Sequence, residues 1–95
     1  MKPFKVTDLP NNIHYLMTQI PSDDARVSGA PDKTPFNRNE ASEVHYLITR
    51  FSRVKRLKLK KTLVKVAEII HKELPKEIVT QVDALKWLQT HWNQF

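Results

Sequence analysis

Four histidines, ten carboxylates and one dense run of cations are the side chains of this 95-residue chain with types suited to chemistry. His14, His45, His71 and His91 show no HExxH spacing, and there is no cysteine to complete a thiolate metal set. No metal or other cofactor is therefore expected. Glu40, Glu43, Glu68, Glu73, Glu77 and Asp83 fall where helix caps and surface partners belong, as in the i,i+4 pair Glu68–Lys72. None is spaced to form an acid–base pair in a pocket, and a chain this short has little room for one. Gly29 is the only glycine, so neither GxGxxG nor GxxxxGK[ST] can be written. Without cysteine there is no disulfide and no thiol nucleophile. A non-catalytic protein is expected.

The cations are another matter. In residues 50–61, RFSRVKRLKLKK, seven of twelve are basic: Arg50, Arg53, Lys55, Arg56, Lys58, Lys60 and Lys61. No acidic residue occurs from Val44 to Ala67. Taking those seven from the sixteen basic residues leaves nine against ten acidic, so the whole net charge of +6 is local. Like charges crowded this way repel, and phosphate or an acidic surface relieves the cost. Arginine adds bidentate phosphate contacts and stacking on bases. The plain alternative is a solvated helix face, since Lys and Arg are good helix formers. Against it stand the missing interspersed acids and the position of the run, which coincides with an expected turn. A third option, a basic helix lying on anionic lipid through Phe51, Val54 and Leu57, is weaker because that stripe reads as core.

A second candidate surface lies at the C-terminus, ALKWLQTHWNQF. Trp87, His91 and Phe95 repeat at i, i+4, i+8, with Leu85, Leu88 and Trp92 alongside. The two rows cover an arc of roughly 160°, wider than the stripe of about 100° that one packed face uses. Trp87, His91, Trp92 and Phe95 are the expected protein interface, because aromatic residues dominate interaction hot spots.

The elements that must position these groups read as helices. A single glycine argues against hairpin-rich β architecture. Val44, Leu47, Phe51, Val54 and Leu57 mark one apolar stripe; continued, it would fall on lysine at 58 and 61. Leu59, Leu63, Val66 and Ile70, with Ala67 and Leu74 beside them, take up a new phase. A turn around 58–62 follows, with Thr62 as candidate cap, in preference to one bent helix over 40–73. Asn37 with Glu40 is capping-box-like at the front. Pro75 closes the second segment. The third carries Ile78, Val82, Leu85, Leu88, Trp92 and Phe95, starting either at Pro75 or at the cap Thr80-x-x-Asp83. Upstream, Ile13, Leu16, Met17 and Ile20 predict a short docking helix over 9–20, with Asp8 as its cap and Pro21 as its end. Residues 21–38, rich in Pro, Ser and Asp, read as a flexible linker.

The expected fold is all-α: an N-terminal segment 1–20, a linker 21–38 and a three-helix core 39–95. In outline, the start of the last helix resembles helix-turn-helix regulators. That helix, however, offers only Lys86 and a histidine as bases from Thr80 onward, which argues against major-groove readout by it. No apolar run reaches the 18–20 or so residues of a membrane span, and no signal-peptide core is visible, so a cytoplasmic location is expected. The expected function is a small accessory or regulatory protein that contacts the backbone of DNA or RNA through residues 50–61. The alternative is an adaptor or inhibitor on an acidic protein surface, anchored by the aromatics. A homodimer would double the basic patch.

Overall fold

The computed structural model describes residues 4–10, 12–17, 20–21 and 23–94. It is all-α. Helices α1 (Ala41–Lys55), α2 (Lys60–Lys72) and α3 (Gln81–His91) follow a 3₁₀ turn at Val6–Asp8, and a second such turn, Trp92–Gln94, extends α3. Helix α1 is the hub, packing against α2, α3 and the first 3₁₀ turn. Its core face is Val44, Leu47, Ile48 and Phe51, met by Leu63, Val66, Ala67 and Ile70 of α2 and Ala84 and Leu88 of α3.

The break between α1 and α2 comes slightly earlier than the expected 58–62. Arg56 turns into the left-handed region (φ 56°, ψ 41°), and the Leu57 N–H bonds back to the Ser52 carbonyl at 2.9 Å. This closes α1 in the manner of a Schellman turn. Ending there keeps Lys58 off the apolar stripe. Leu59, not Thr62, occupies the cap position of α2, with no side-chain cap bond. Helix α3 takes the later of its two starts: the Thr80 hydroxyl accepts the Asp83 N–H at 3.4 Å.

Two expected core residues are outside it. Val54, in the last turn of α1, is 52% and Leu59, just before α2, 61% exposed. Glu40 and Glu43, expected on the surface, are buried. Glu43 accepts the Asn37 N–H at 3.1 Å, and burial pushes its carboxyl above the usual range.

The N-terminal segment is not the helix expected over 9–20. Its described residues run irregularly, with Leu9 and Ile13 buried. Leu16 bridges to the start of α1: its N–H reaches the Asn39 carbonyl (2.7 Å) and its own carbonyl accepts the Ala41 N–H (2.9 Å). Ala41 is the first residue of α1 and its N–H has no intrahelical acceptor, so a passing backbone fills what a helix cannot. That bond outweighs the weak propensity of about a dozen residues.

Residues 23–38 carry no helix, as their composition implies, yet they lie against the helices. Phe36 is buried, and Pro35 bridges to Thr80. The Gln81 side-chain amide, wholly buried, donates to the Ala25 and Arg26 carbonyls, both at 3.1 Å. The Tyr46 hydroxyl donates to the Gly29 carbonyl. Arg38 reaches under the end of α2, donating to the Leu74 carbonyl and, at 2.7 Å, to that of Pro75. A cation there suits the negative end of the helix dipole.

Candidate nucleic-acid interface

The turn at Arg56 divides the basic run. Arg50 and Arg53 stand on the outer face of α1. Lys55 is the last residue of that helix, Arg56 and Lys58 lie in the turn, and Lys60 and Lys61 open α2. The arc of about 140° that an unbroken helix would give Arg50, Arg53, Arg56, Lys60 and Lys61 is therefore not formed. Six of the seven are exposed, and Arg50 is half-buried. Its guanidinium lies over the Tyr46 ring, 5.5 Å from the centroid.

Absence of acid in the run does not mean absence of acid beside it. Asp8, from the 3₁₀ turn, lies 3.3 Å from Lys60 Nζ. The Lys5 N–H also donates to this carboxylate, at 2.8 Å, and chiefly that bond, with Lys60 adding, holds the Asp8 carboxyl below its ordinary range. Among the described residues, Asp8 is the only carboxylate in an ion pair with the run. The first turn of α2 holds Lys60 and Lys61 and no acid. Its backbone N–H groups thus add positive potential to that of the lysines.

Beside Arg50 and Arg53 a cavity of about 320 Å³ opens along α1. One wall is helical, with Ser42, His45, Tyr46 and Thr49; the other is Val6, Ile20 and Val27 from the two irregular segments. Those segments are tied to α1 at several points. His45 Nε2 donates to the Phe4 carbonyl at 2.7 Å, and the Phe4 ring stacks on the imidazole at 5.8 Å. A turn at Asp24–Ser28, held by the Val27 N–H to the Asp24 carbonyl, supplies Val27. The Arg26–Asp24 pair keeps that carboxylate occupied and lowers its pKa to about 2.

Both C-terminal tryptophans are half-buried against the core and differ in their ring partners. Trp92 meets Phe51 edge-on at 5.2 Å and carries Lys65 Nζ 5.9 Å above its ring, so it roofs the core. Trp87 is half-buried and stacks on His91 at 4.5 Å; the His91 Nδ1 lies 2.9 Å from the Trp87 carbonyl. The wide arc thus packs both tryptophans against the core, with Trp87 also stacked on His91. Phe95 lies outside the described residues.

Among the described residues, no three His, Cys, Asp or Glu side chains are grouped to hold a metal ion. Among the described residues, too, no helix is long and apolar enough to cross a membrane. By its fold the chain is a small all-α, three-helix protein. Comparison with known proteins finds no matching family model, no similar curated protein and no similar solved structure.

Proposed function

We propose that this is a non-catalytic accessory or regulatory nucleic-acid-binding protein whose basic run contacts the phosphate backbone. The observation that carries the reading is the concentration of exposed cations over α1 and the following turn, with one acidic neighbour among the described residues. Arg56 adds weight. It is the only described non-glycine residue at positive φ, and backbone strain kept at an exposed cation is typical of a functional position.

A second reading has its own observation. Val54 and Leu59, both more than half exposed, interleave with the cations, and phosphate has no use for apolar tips. An adaptor gripping an acidic protein surface would use both. Salt weakens either complex, so the test is direct titration of DNA and RNA, duplex and single-stranded. With four to six phosphate contacts, log K falls against log salt by about 0.9 per contact on duplex and about 0.7 on single strands. The double variant Arg53→Gln, Arg56→Gln flattens the slope by about two contacts and weakens all sequences alike. No binding at low salt refutes the nucleic-acid reading and leaves the run to a protein partner.

A further inference from the structure

From the cavity beside Arg50 and Arg53 we infer a binding site for one nucleotide unit, a nucleoside 5′-phosphate presented by single-stranded nucleic acid. The inference rests on the backbone-binding reading and adds to it a site that takes one unpaired nucleotide of a single strand.

The site has two chemically distinct sides. Arg50 and Arg53 are the phosphate side, where the planar guanidinium offers paired donors to phosphate oxygens. The Arg50 guanidinium is already held over Tyr46 at 5.5 Å, which limits its freedom before any ligand arrives. Less entropy is lost when a pre-set side chain binds. The aliphatic part of the lining, Val6, Ile20 and Val27, accepts the flat face of a base or the carbon side of a sugar. Thr49 donates its hydroxyl proton to the His45 carbonyl at 2.9 Å, leaving its oxygen as an acceptor toward a sugar hydroxyl.

Size and shape choose among anionic ligands. About 320 Å³ is near the small end of ligand sites, which run from about 300 to 1,000 Å³. A partner helix, about 10 Å across, is too wide. An acidic side chain is too small, reaching the arginines while leaving the valine wall wet. A stacked base pair does not fit, because its bases face each other. A nucleotide from an unpaired strand presents an anion and an apolar plane together, and stacking of bases on protein surfaces is how single strands are held without sequence readout.

Full-length protein is titrated with adenosine 5′-monophosphate, with inorganic phosphate, and with a single strand and a duplex of equal length, each followed by amide chemical shifts. The expected result is that the monophosphate and the single strand move the amides of Val27, Thr49 and Arg50, while duplex moves those of residues 53–61. Filling the cavity with Ser42→Trp, which changes no charge, weakens the monophosphate about tenfold or more, one good contact's worth. Its duplex affinity and salt slope stay as in the parent. Arg50→Gln, which fills nothing, serves where Ser42→Trp proves unfolded by circular dichroism, and it weakens the monophosphate in the same way. A single strand that displaces the monophosphate identifies the polymer as ligand; a monophosphate no strand displaces upholds the site but assigns it to free nucleotides.

Monophosphate shifts confined to residues 55–61, or unchanged affinity in a folded cavity variant, overturn the inference while duplex binding keeps the backbone reading intact. So do shifts at Thr49 and Arg50 reproduced in full by inorganic phosphate, which reduce the site to an anion pocket. Failure of every nucleic acid and nucleotide to bind overturns both readings.

Discussion

Lys60 lies 3.3 Å from the Asp8 carboxylate, fifty-two positions earlier in the chain, and that pair sets the net charge the basic run presents. Lys60 remains 54% exposed, so the pair adds little stability in water. Its effect is on recognition: one of seven cations already has a counter-charge. Replacing Asp8 with Asn frees Lys60 while keeping an oxygen for the Lys5 N–H. The expected outcome is tighter binding to DNA or RNA and a salt slope steeper by up to about 0.9 on duplex. Thermal stability barely moves. Unchanged binding would show that Lys60 is no phosphate contact.

Glu43 makes the opposite kind of demand. It is buried, and burial raises its carboxyl above the usual range, more than the Asn37 N–H lowers it. A raised folded pKa means the native state holds that proton more tightly, so ionised Glu43 costs stability above its folded pKa. The cost disappears below the ordinary carboxylate value, where both states are protonated. Glu43→Gln, whose amide oxygen still accepts from Asn37, is expected to stabilise the protein at neutral pH and to match the parent in acid. Asp24, at about 2, acts in the other sense, because its contribution is lost as pH falls from the ordinary carboxylate range toward that value. Urea unfolding at several pH values separates the two, since only the Glu43 effect vanishes from the difference between variant and parent in acid.

How much of this was legible beforehand depends on the reach of the interactions. The all-α class, the break between α1 and α2 and the Thr80 start of α3 are local matters of periodicity and capping, and each was readable. Val54 and Leu59 fit the helical period but not the core, because a period cannot tell how far along a helix its neighbours cover it. The segment around Leu16 carries an amphipathic pattern yet is drawn off by the free N–H of Ala41, a partner twenty-five residues downstream. Composition reads residues 21–38 as a flexible linker. It could not show that Gln81 would bury its amide to hold the Ala25 and Arg26 carbonyls. The basic run was plain as a charge pattern. Its cavity was not, since Val6, Ile20 and Val27 meet Arg50 only through the fold.

Tyr15 tests the packing of that N-terminal segment. Its hydroxyl is buried and has no hydrogen-bond partner among the described residues, and burial, with Glu68 adding, pushes the phenol up to about 12. An unpaired buried hydroxyl costs about 1–3 kcal/mol, so Tyr15→Phe is expected to hold or raise stability. The parent should lose stability as pH rises from about 10, the ordinary phenol value, toward 12, because the unfolded state gives up this proton first. Ultraviolet titration of the phenolates should show the high value and lose it in the variant. A Tyr15→Phe protein that is clearly less stable would mean the hydroxyl is satisfied by ordered water.

Arg56 gives the sharpest separation of stability from function. At φ 56° it occupies the left-handed position that closes α1, where an L side chain costs about 1–2 kcal/mol and glycine costs almost nothing. Part of that advantage is lost to the greater freedom of an unfolded glycine. Arg56→Gly is therefore expected to stabilise the protein by about 0.5–1 kcal/mol, raising Tm by several degrees at the roughly 4–8 °C per kcal/mol of a chain this size. Nucleic-acid affinity should fall at the same time, with a slope shallower by about 0.9 on duplex. Arg56→Gln loses the same charge and keeps the strain, so it should match the glycine variant in binding and the parent in Tm. If glycine raises Tm and leaves binding untouched, Arg56 is a turn residue only, and the phosphate contacts lie with Arg50, Arg53 and the lysines.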